Sequence, residues 1–269
     1  MPLPSPAPGF TALVTGASSG IGVEIARELA RRGHGLTLVA RREERMRALA
    51  DELAAAHSIR VEVVAADLGE AAGRDAVAAA VEAAGLDVSI LVNNAGIGGH
   101  SEFVDAAREG DRDLRMVRLN VEAVTDLMAR YVPGMADRRS GAVINVASTA
   151  AYQPMPGTAT YAASKSFVLS LSEAMNQELK DSGVTVTALC PGPVRTEFVE
   201  TAGVPDELTG TAPDFIWLTA EGVAKAAVDG AEAGKRTVVP GALHQATAFA
   251  SRIVPTKLML TAIDRRWNR

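Results

Sequence analysis

The chain holds a single cysteine, Cys190, in 269 residues. One thiol excludes an internal disulfide and fits a reducing compartment, so a cytoplasmic protein is expected. Cys190 closes an apolar run and reads as a buried, inert thiol rather than a nucleophile. Charge is modest, with a formal net of −5. No Lys/Arg block is long enough for a nucleic-acid surface; Arg41-Arg42 and Arg138-Arg139, for example, are only doublets. The four histidines (His34, His57, His100 and His244) are scattered, with no pair at metal-ligand spacing. No metal centre is expected, and surface or capping roles suit all four. No apolar run approaches the ~18 residues of a membrane span. Residues 1–9 are proline-rich without a basic or apolar signal region, and read as a disordered tail rather than a targeting segment.

What is present is a 48% apolar chain, enough for one domain with a full core. Short apolar runs alternate with helix-period segments. Strands are predicted at Thr11–Thr15, Leu36–Ala40, Val61–Ala66, Val88–Val92, Ala142–Ala147, Val184–Leu189 and Thr237–Val239. Between them, Ile21, Ile25 and Leu29 mark a helix face ended by Gly33, and Met46, Leu49 and Leu53 mark a second. Glu70–Ala84 is an alanine-rich helix. Asp111–Tyr131 reads as one long helix with Leu114, Val117, Val121, Val124 and Met128 along one side. Helices at Thr160–Asp181 and Thr219–Ala233 follow. Strands that are apolar throughout, alternating with helices, imply a doubly wound α/β fold, a parallel sheet of about seven strands covered on both faces. Such sheets bind ligands beyond the carboxyl ends of their strands.

The first strand runs into Thr15-Gly16-Ala17-Ser18-Ser19-Gly20-Ile21-Gly22, a G-x₃-G-x-G turn at a strand-to-helix junction. Glycines let backbone approach a pyrophosphate closely, and the helix start offers amides and partial positive charge. At the end of the second strand, NAD sites carry an acid for the ribose 2′-hydroxyl. Here the segment reads Ala40-Arg41-Arg42, with no acid before Glu43. A guanidinium matches a phosphate fork, so NADP is expected over NAD. Arg41 and Ser18 are placed on the 2′-phosphate, with Arg42 as a further contact.

Tyr161 and Lys165 stand four residues apart, on one helix face. A phenol with a pKa of about 10 is a poor proton donor or acceptor at neutral pH. A cation ~4 Å away is worth roughly 4 kcal/mol at an effective dielectric near 20, about 3 pKa units, which brings a tyrosine toward neutrality.

At these residues the chain resembles the short-chain dehydrogenase/reductase family, over about residues 10–241. Thr15–Gly22 matches the family's TGxxxGxG turn. Asp67-Leu68 matches the segment closing the third strand, where the family's acid bonds adenine. Asn93-Asn94-Ala95-Gly96 matches its NNAG segment. Pro191-Gly192-Pro193-Val194-Arg195-Thr196 matches its nicotinamide-side segment. The resemblance implies a single-domain Rossmann fold and a catalytic tetrad of Asn120, Ser148, Tyr161 and Lys165. Tyr161 would exchange a proton with the substrate oxygen and Ser148 would polarise the carbonyl. Lys165 would bond the nicotinamide ribose and lower the tyrosine pKa, and Asn120 would hold a water linking Lys165 to solvent. Cofactor contacts are expected from Gly16, Ser18, Ser19, Gly20, Ile21, Gly22, Arg41, Arg42, Asp67, Leu68, Asn94, Ala95, Gly96, Tyr161, Lys165, Pro191, Gly192, Val194 and Thr196. A dimer or tetramer pairing through the helices of Asn120 and Tyr161 is also implied.

The substrate side is expected from Ser148 and loop 193–219, where Val194, Phe198, Val199, Leu208, Phe215, Ile216 and Trp217 are unusually apolar for a connection. Tyr152 and Gln153 either touch substrate or pack their loop, with Met155 a weaker candidate in the same loop. Glu173 and Asn176 read as solvated or interfacial. Residues 242–269 form a helical extension in which Leu243, Ala246, Phe249, Ile253, Leu258, Leu260 and Ile263 make an amphipathic series broken by Pro255. Arg252, Lys257, Arg265, Arg266 and Arg269 punctuate it, and Trp267 lies near its end. It docks on the body or a partner subunit, or lies at a membrane interface. The expected activity is NADPH-dependent reduction of a fairly apolar ketone or aldehyde, with 3-oxoacyl-, fatty- or steroid-like compounds as candidate substrates. A non-catalytic NADP sensor or scaffold is the alternative, and the presence of both Tyr161 and Lys165 argues against it.

Overall fold

The computed structural model describes residues 3–203 and 213–267, with side chains described as far as residue 261. Leu208 and Arg269, and the side chains of Ile263, Arg265, Arg266 and Trp267, lie outside the described residues. The strands are β1 (Phe10–Thr15), β2 (Leu36–Ala40), β3 (Val61–Ala65), β4 (Asp87–Asn93), β5 (Gly141–Val146), β6 (Val184–Leu189) and β7 (Thr237–Val238). They form one parallel sheet in the order β3-β2-β1-β4-β5-β6-β7. Helices α1 (Gly20–Arg31), α2 (Glu43–His57) and α9 (Ala220–Glu232) cover one face. Helices α3 (Ala71–Ala83), α6 (Ala123–Asp137) and α7 (Ala159–Glu178) cover the other.

The two coverings explain the uniformly apolar strands. Leu38 and Ile90 face the first core with Ile25 and Leu29, while Leu13 and Leu91 face the second with Leu127 and Met135. All eight are fully buried, each worth about 1.5–3 kcal/mol. Strand order reverses at β1, which pairs with β2 on one side and β4 on the other. The crevice beyond the carboxyl ends of β1 and β4 is therefore the place for a ligand.

Three expectations need correction. The tail is not free over its whole length: Pro4 is buried and Leu3 packs against the first core, while residues 5–9 are exposed. His34 and His244 are buried, not superficial, and burial holds the His34 imidazole below its usual pKa. The long helix is divided. Helix α4 (Phe103–Glu109) ends at Gly110, and α5 (Arg112–Val117) runs into a π-helical turn, Arg118–Glu122, before α6 begins. Leu114 and Val117 are 61% and 43% exposed, whereas Val124 and Met128 are buried. The apolar stripe read at a constant 3.6-residue period thus splits where the turn widens.

The chain after β7 forms α10 (Ala242–Ile253) and α11 (Thr256–Trp267), separated at Pro255, which cannot continue a helix. Helix α10 docks on the body through buried His244 and Ala248. Among the described residues no helix is long and apolar enough to cross a membrane.

Candidate active site

The glycine turn is built by stitching β1 to β4. Thr15 Oγ1 donates to Val92 O (3.0 Å) and accepts from the amides of Asn94 and Ala95 (2.9 and 3.0 Å). Asn94 Nδ2 donates to Thr15 O (2.9 Å) and Gly16 O (3.3 Å). Gly16 has φ +67°, and a Cβ there would lie 2.7 Å from Asn94 Nδ2. At Gly22 a Cβ would collide with the Gly16 carbonyl oxygen and lie 2.5 Å from Asn94 Nδ2. Ser19 sits at the N-cap of α1 without capping it, and the first turn carries no acid. The helix start therefore presents amides and partial positive charge, which fits a dinucleotide's pyrophosphate. Gly22→Ala is expected to weaken NADPH binding by roughly tenfold or more, because turn and helix must separate to admit a methyl group. Calorimetric titration measures this.

At the end of β2 the two arginines divide differently from the expectation. Arg41 is largely exposed and reaches only Asp67, at 3.9 Å. Arg42 is the organised one: its Nε donates to Ser18 Oγ (3.2 Å), Nη2 to Ser19 Oγ (2.7 Å) and Nη1 to Glu197 Oε2 (2.8 Å). Arg45, one turn into α2, donates to the other Glu197 oxygen (2.7 Å). Glu197 opens the short helix α8 (Glu197–Thr201), and both arginines hold its carboxyl below the usual range. The sequence reading missed Arg45 and Glu197; the Arg42-x-x-Arg45 spacing, one helical turn, was the available signal for the first. Asp67 is half exposed and accepts from Gly69 N (2.9 Å). Leu68 is buried in the second core, so only its backbone is free to contact a ligand.

The structure brings Asn120, Ser148, Tyr161 and Lys165 to the ends of β4 and β5. Ser148 follows β5 and caps a 3₁₀ turn, Thr149–Tyr152, by accepting from Ala150 N (3.1 Å). Its hydroxyl is close enough to Tyr161 to pull the phenol's pKa down. Lys165 is buried and donates to Val146 O (2.7 Å), with its Nζ 5.9 Å from the Tyr161 ring centroid. Asn120 sits on the π turn; its Nδ2 donates to Ile97 O (2.9 Å) and Ser164 Oγ (3.1 Å), and its Oδ1 accepts from Ile97 N (3.0 Å). Gly96 lies beside both Asn120 and Lys165: a Cβ there would be 3.1 Å from Asn120 Oδ1 and 3.5 Å from Lys165 Nζ.

The electrostatics differ from the simple pair argument. Enclosure raises the Tyr161 pKa, and the Ser148 hydroxyl pulls against it. Tyr161 keeps some exposed area, but its ring is packed around closely enough for burial to dominate. Lys165 is pushed down to about 8 by burial. Its ammonium is committed to a carbonyl rather than to the phenol, so spacing on a helix face brought the groups together without pairing them.

The substrate side also separates. Phe198 lies over Tyr161, ring centroids 5.9 Å apart and tilted by 45°. Val194 is buried in the core and bridges to Leu218, so it is not part of a roof. Phe215 is 73% exposed, and Trp217 lies under the Arg195 guanidinium at 5.6 Å. Tyr152 faces away from Tyr161. It lies under Arg252 (5.0 Å) and opens on a cavity of about 550 Å³ shared with Glu173 and Phe249. Tyr161 instead lines a hollow with Ser101, Arg112 and Thr158. Gln153 accepts from Ser251 Oγ (3.4 Å). Glu173 and Asn176 are engaged within the fold, by Arg252 (3.0 Å) and by Val186 O (2.8 Å). Burial pushes the Cys190 thiol up to about 11, as suits an inert residue. The sequence reading passed over His244, whose contacts are described below.

Known proteins match this arrangement. The short chain dehydrogenase family model matches residues 10–205. A very-long-chain 3-oxoacyl-CoA reductase from Anas platyrhynchos is 30% identical over 262 residues, 96% of this chain and 80% of that protein. A short-chain dehydrogenase from Sphingobium yanoikuyae, solved in complex with NADPH, is 36% identical with a TM-score of 0.79, over 93% of this chain and 94% of that one. The bulky-bulky ketone specific alcohol dehydrogenase from Comamonas testosteroni is 32% identical with a TM-score of 0.75, over 94% and 93%. With the parallel sheet, the glycine turn and the Ser148–Tyr161–Lys165 cluster in place, the chain belongs to the short-chain dehydrogenase family and is an oxidoreductase.

Proposed function

We propose that the protein uses NADP(H) to interconvert a fairly apolar ketone or aldehyde with its alcohol, working as a reductase. The observation that carries this reading is Phe198 over Tyr161, which gives the reacting oxygen an apolar neighbour. The very-long-chain 3-oxoacyl-CoA reductase and the bulky-ketone dehydrogenase are in keeping with it. Arg42, oriented by Ser18 and Ser19, supports the 2′-phosphate, with Arg41 beside it.

The bound nicotinamide supplies the hydride, which no side chain can. Tyr161 gives its phenolic proton to the substrate oxygen as negative charge develops there. Ser148 donates a hydrogen bond to the same oxygen and so lowers the cost of that charge. Lys165 would bond the nicotinamide ribose and lie on the route by which Tyr161 is reprotonated. Asn120 clamps Ile97 and Ser164, and its remaining Oδ1 lone pair would accept from a water on that route. Val194 and Thr196 fix the carboxamide side, and Gly20, which faces Thr196, keeps that approach open.

NADPH consumption across small aldehydes, quinones, 3-oxoacyl esters and steroids, with NADH as control, tests the reading. The bulky apolar carbonyls are expected to turn over best. Turnover confined to small hydrophilic aldehydes would overturn the substrate class, and equal efficiency with NADH would overturn the cofactor. Arg42→Ala is expected to raise the KM for NADPH about tenfold or more, as loss of a charge-assisted hydrogen bond does, and to leave that for NADH nearly unchanged.

The protein pairs with itself through α5 and α7, where Leu114, Val117 and Phe167 are exposed. Leu114→Asp should shift the species seen by sedimentation toward the monomer.

A further inference from the structure

Helix α10 lies beyond the residues that the family model matches, yet it reaches the site from behind. His244, in its first turn, is 7% exposed. Its Nε2 stands 2.9 Å from Ile216 O. A carbonyl only accepts, so Nε2 carries the hydrogen. The other side of the ring meets the nicotinamide-side segment. A Cβ on Gly192 would lie 2.5 Å from His244 Cε1 and Nδ1, so the imidazole occupies room that only glycine leaves. Gly241, with φ +84°, sets the start of the helix close against the ring: a Cβ there would lie 3.2 Å from His244 Cδ2 and 3.3 Å from Leu218 Cδ2. One side chain thus touches the segment that leaves β6 and the segment that returns to α9. Those are the two ends of loop 193–219, which carries Phe198.

We infer that His244 is a positioning residue, pinning both ends of the loop so that Phe198 is held over Tyr161. The inference rests on the reading of 193–219 as the substrate loop. The two ends already meet through the Val194–Leu218 bridge, and the imidazole, touching both Gly192 and Ile216, fixes where that joined base sits against the body. The imidazole is itself buried, so its loss would take away the donor that the Ile216 carbonyl has in the folded chain. The same helix is anchored further along by Ser251 on Gln153 and Arg252 on Tyr152. The C-terminal helix therefore bears on the loop that carries Phe198.

The test uses the full chain with the best carbonyl from the panel. His244→Ala is expected to raise the KM for that carbonyl about tenfold, to lower kcat by about threefold at most, and to leave the affinity for adenosine 2′,5′-bisphosphate within about twofold. His244→Gln, whose amide nitrogen reaches close to the Nε2 position, should recover most of the loss. Gly192→Ala should be less damaging in the His244→Ala background than alone, since the ring it strikes is gone. An unchanged carbonyl KM in His244→Ala overturns the inference. So does a uniform loss of kcat, KM and nucleotide affinity that Gln does not repair, which is the pattern of a merely structural residue. If His244→Ala does not fold, His244→Phe, which keeps a ring but lacks the N–H, decides it: a raised carbonyl KM that His244→Gln does not show supports the inference, and an unchanged one overturns it. Turnover retained by Tyr161→Phe would instead sink the reading of the site itself.

Discussion

Tyr161→Phe is expected to lower kcat/KM by about 10³-fold or more, a barrier increase of about 4 kcal/mol, with NADPH affinity within about twofold of the parent. The substitution deletes one oxygen from a ring already packed against Phe198. It leaves the fold intact, since Ser148 keeps its bond to Ala150 N. What is lost is the proton that neutralises the developing alkoxide. Enclosure raises the pKa of this phenol, so it stays protonated across the neutral range, the state a reductase needs. The decisive measurement is a pre-steady-state trace of NADPH oxidation beside a binding titration. Retained turnover would remove Tyr161 from the role of proton donor. A joint loss of binding and turnover would mean that the ring, not the hydroxyl, is what matters.

Lys165→Met should separate stability from activity. The lysine is buried, and burial pushes its pKa from the ordinary 10.5 to about 8. At neutral pH the amine is nevertheless charged, so the fold carries a desolvation cost of about 3 kcal/mol. Between about pH 8 and 10.5 the unfolded chain holds this proton and the folded chain does not. Unfolded chains then bind more protons, and stability rises with pH through that window. Below about 8 the cost is present in full. Methionine of similar length removes it, but leaves the Val146 carbonyl without its partner. The net expectation for the cofactor-free protein at pH 7 is a gain of about 1–2 kcal/mol, or about 3–6 °C in Tm. Turnover should fall by about 10³-fold, because the route that reprotonates Tyr161 is cut. The rise of Tm with pH above 8 seen in the parent should flatten in the variant. A variant less stable than the parent at pH 7 would show that the amine's hydrogen bond outweighs its desolvation.

The sheet was legible because its signal is local and repeated. Each strand is a short apolar run, and β2 and β6 fall on the residues expected from their composition. The glycine turn was legible for a different reason: backbone that must approach an anion, or another backbone, has room for only one residue type. The limits appear where a side chain's partner is far away in sequence. Nothing near Arg42 indicates that it would reach Ser18, Ser19 and Glu197, while Arg41 would point to solvent. Tyr152 has the composition of a pocket wall, yet its ring was claimed by Arg252, exactly one hundred residues on. His244 looked incidental because one neighbour, the Ile216 carbonyl, is a backbone group that leaves no mark on residue type, and Gly192 was already accounted for as part of the nicotinamide-side segment. The Tyr161–Lys165 pair was found by spacing, but spacing does not report which acceptor the ammonium chooses.

The π-helical turn at Arg118–Glu122 has a consequence for how this enzyme tolerates insertions and deletions. An α-helix rotates by about 100° per residue, so one additional residue in a turn re-phases everything downstream by about that angle. Upstream of the turn, Leu114 and Val117 face outward; downstream, Val124 and Met128 face the core. Deleting one residue from this turn would let a plain α-helix run through with Leu114 and Val117 still outward and Val124 and Met128 still inward, but would remove the widened turn that sets Asn120 against Ile97 and Ser164. The chain would keep every catalytic side chain and lose their alignment. A single-codon deletion here should therefore be worse than most substitutions at the same positions, and the added residue acts as a reading frame for the geometry of the site.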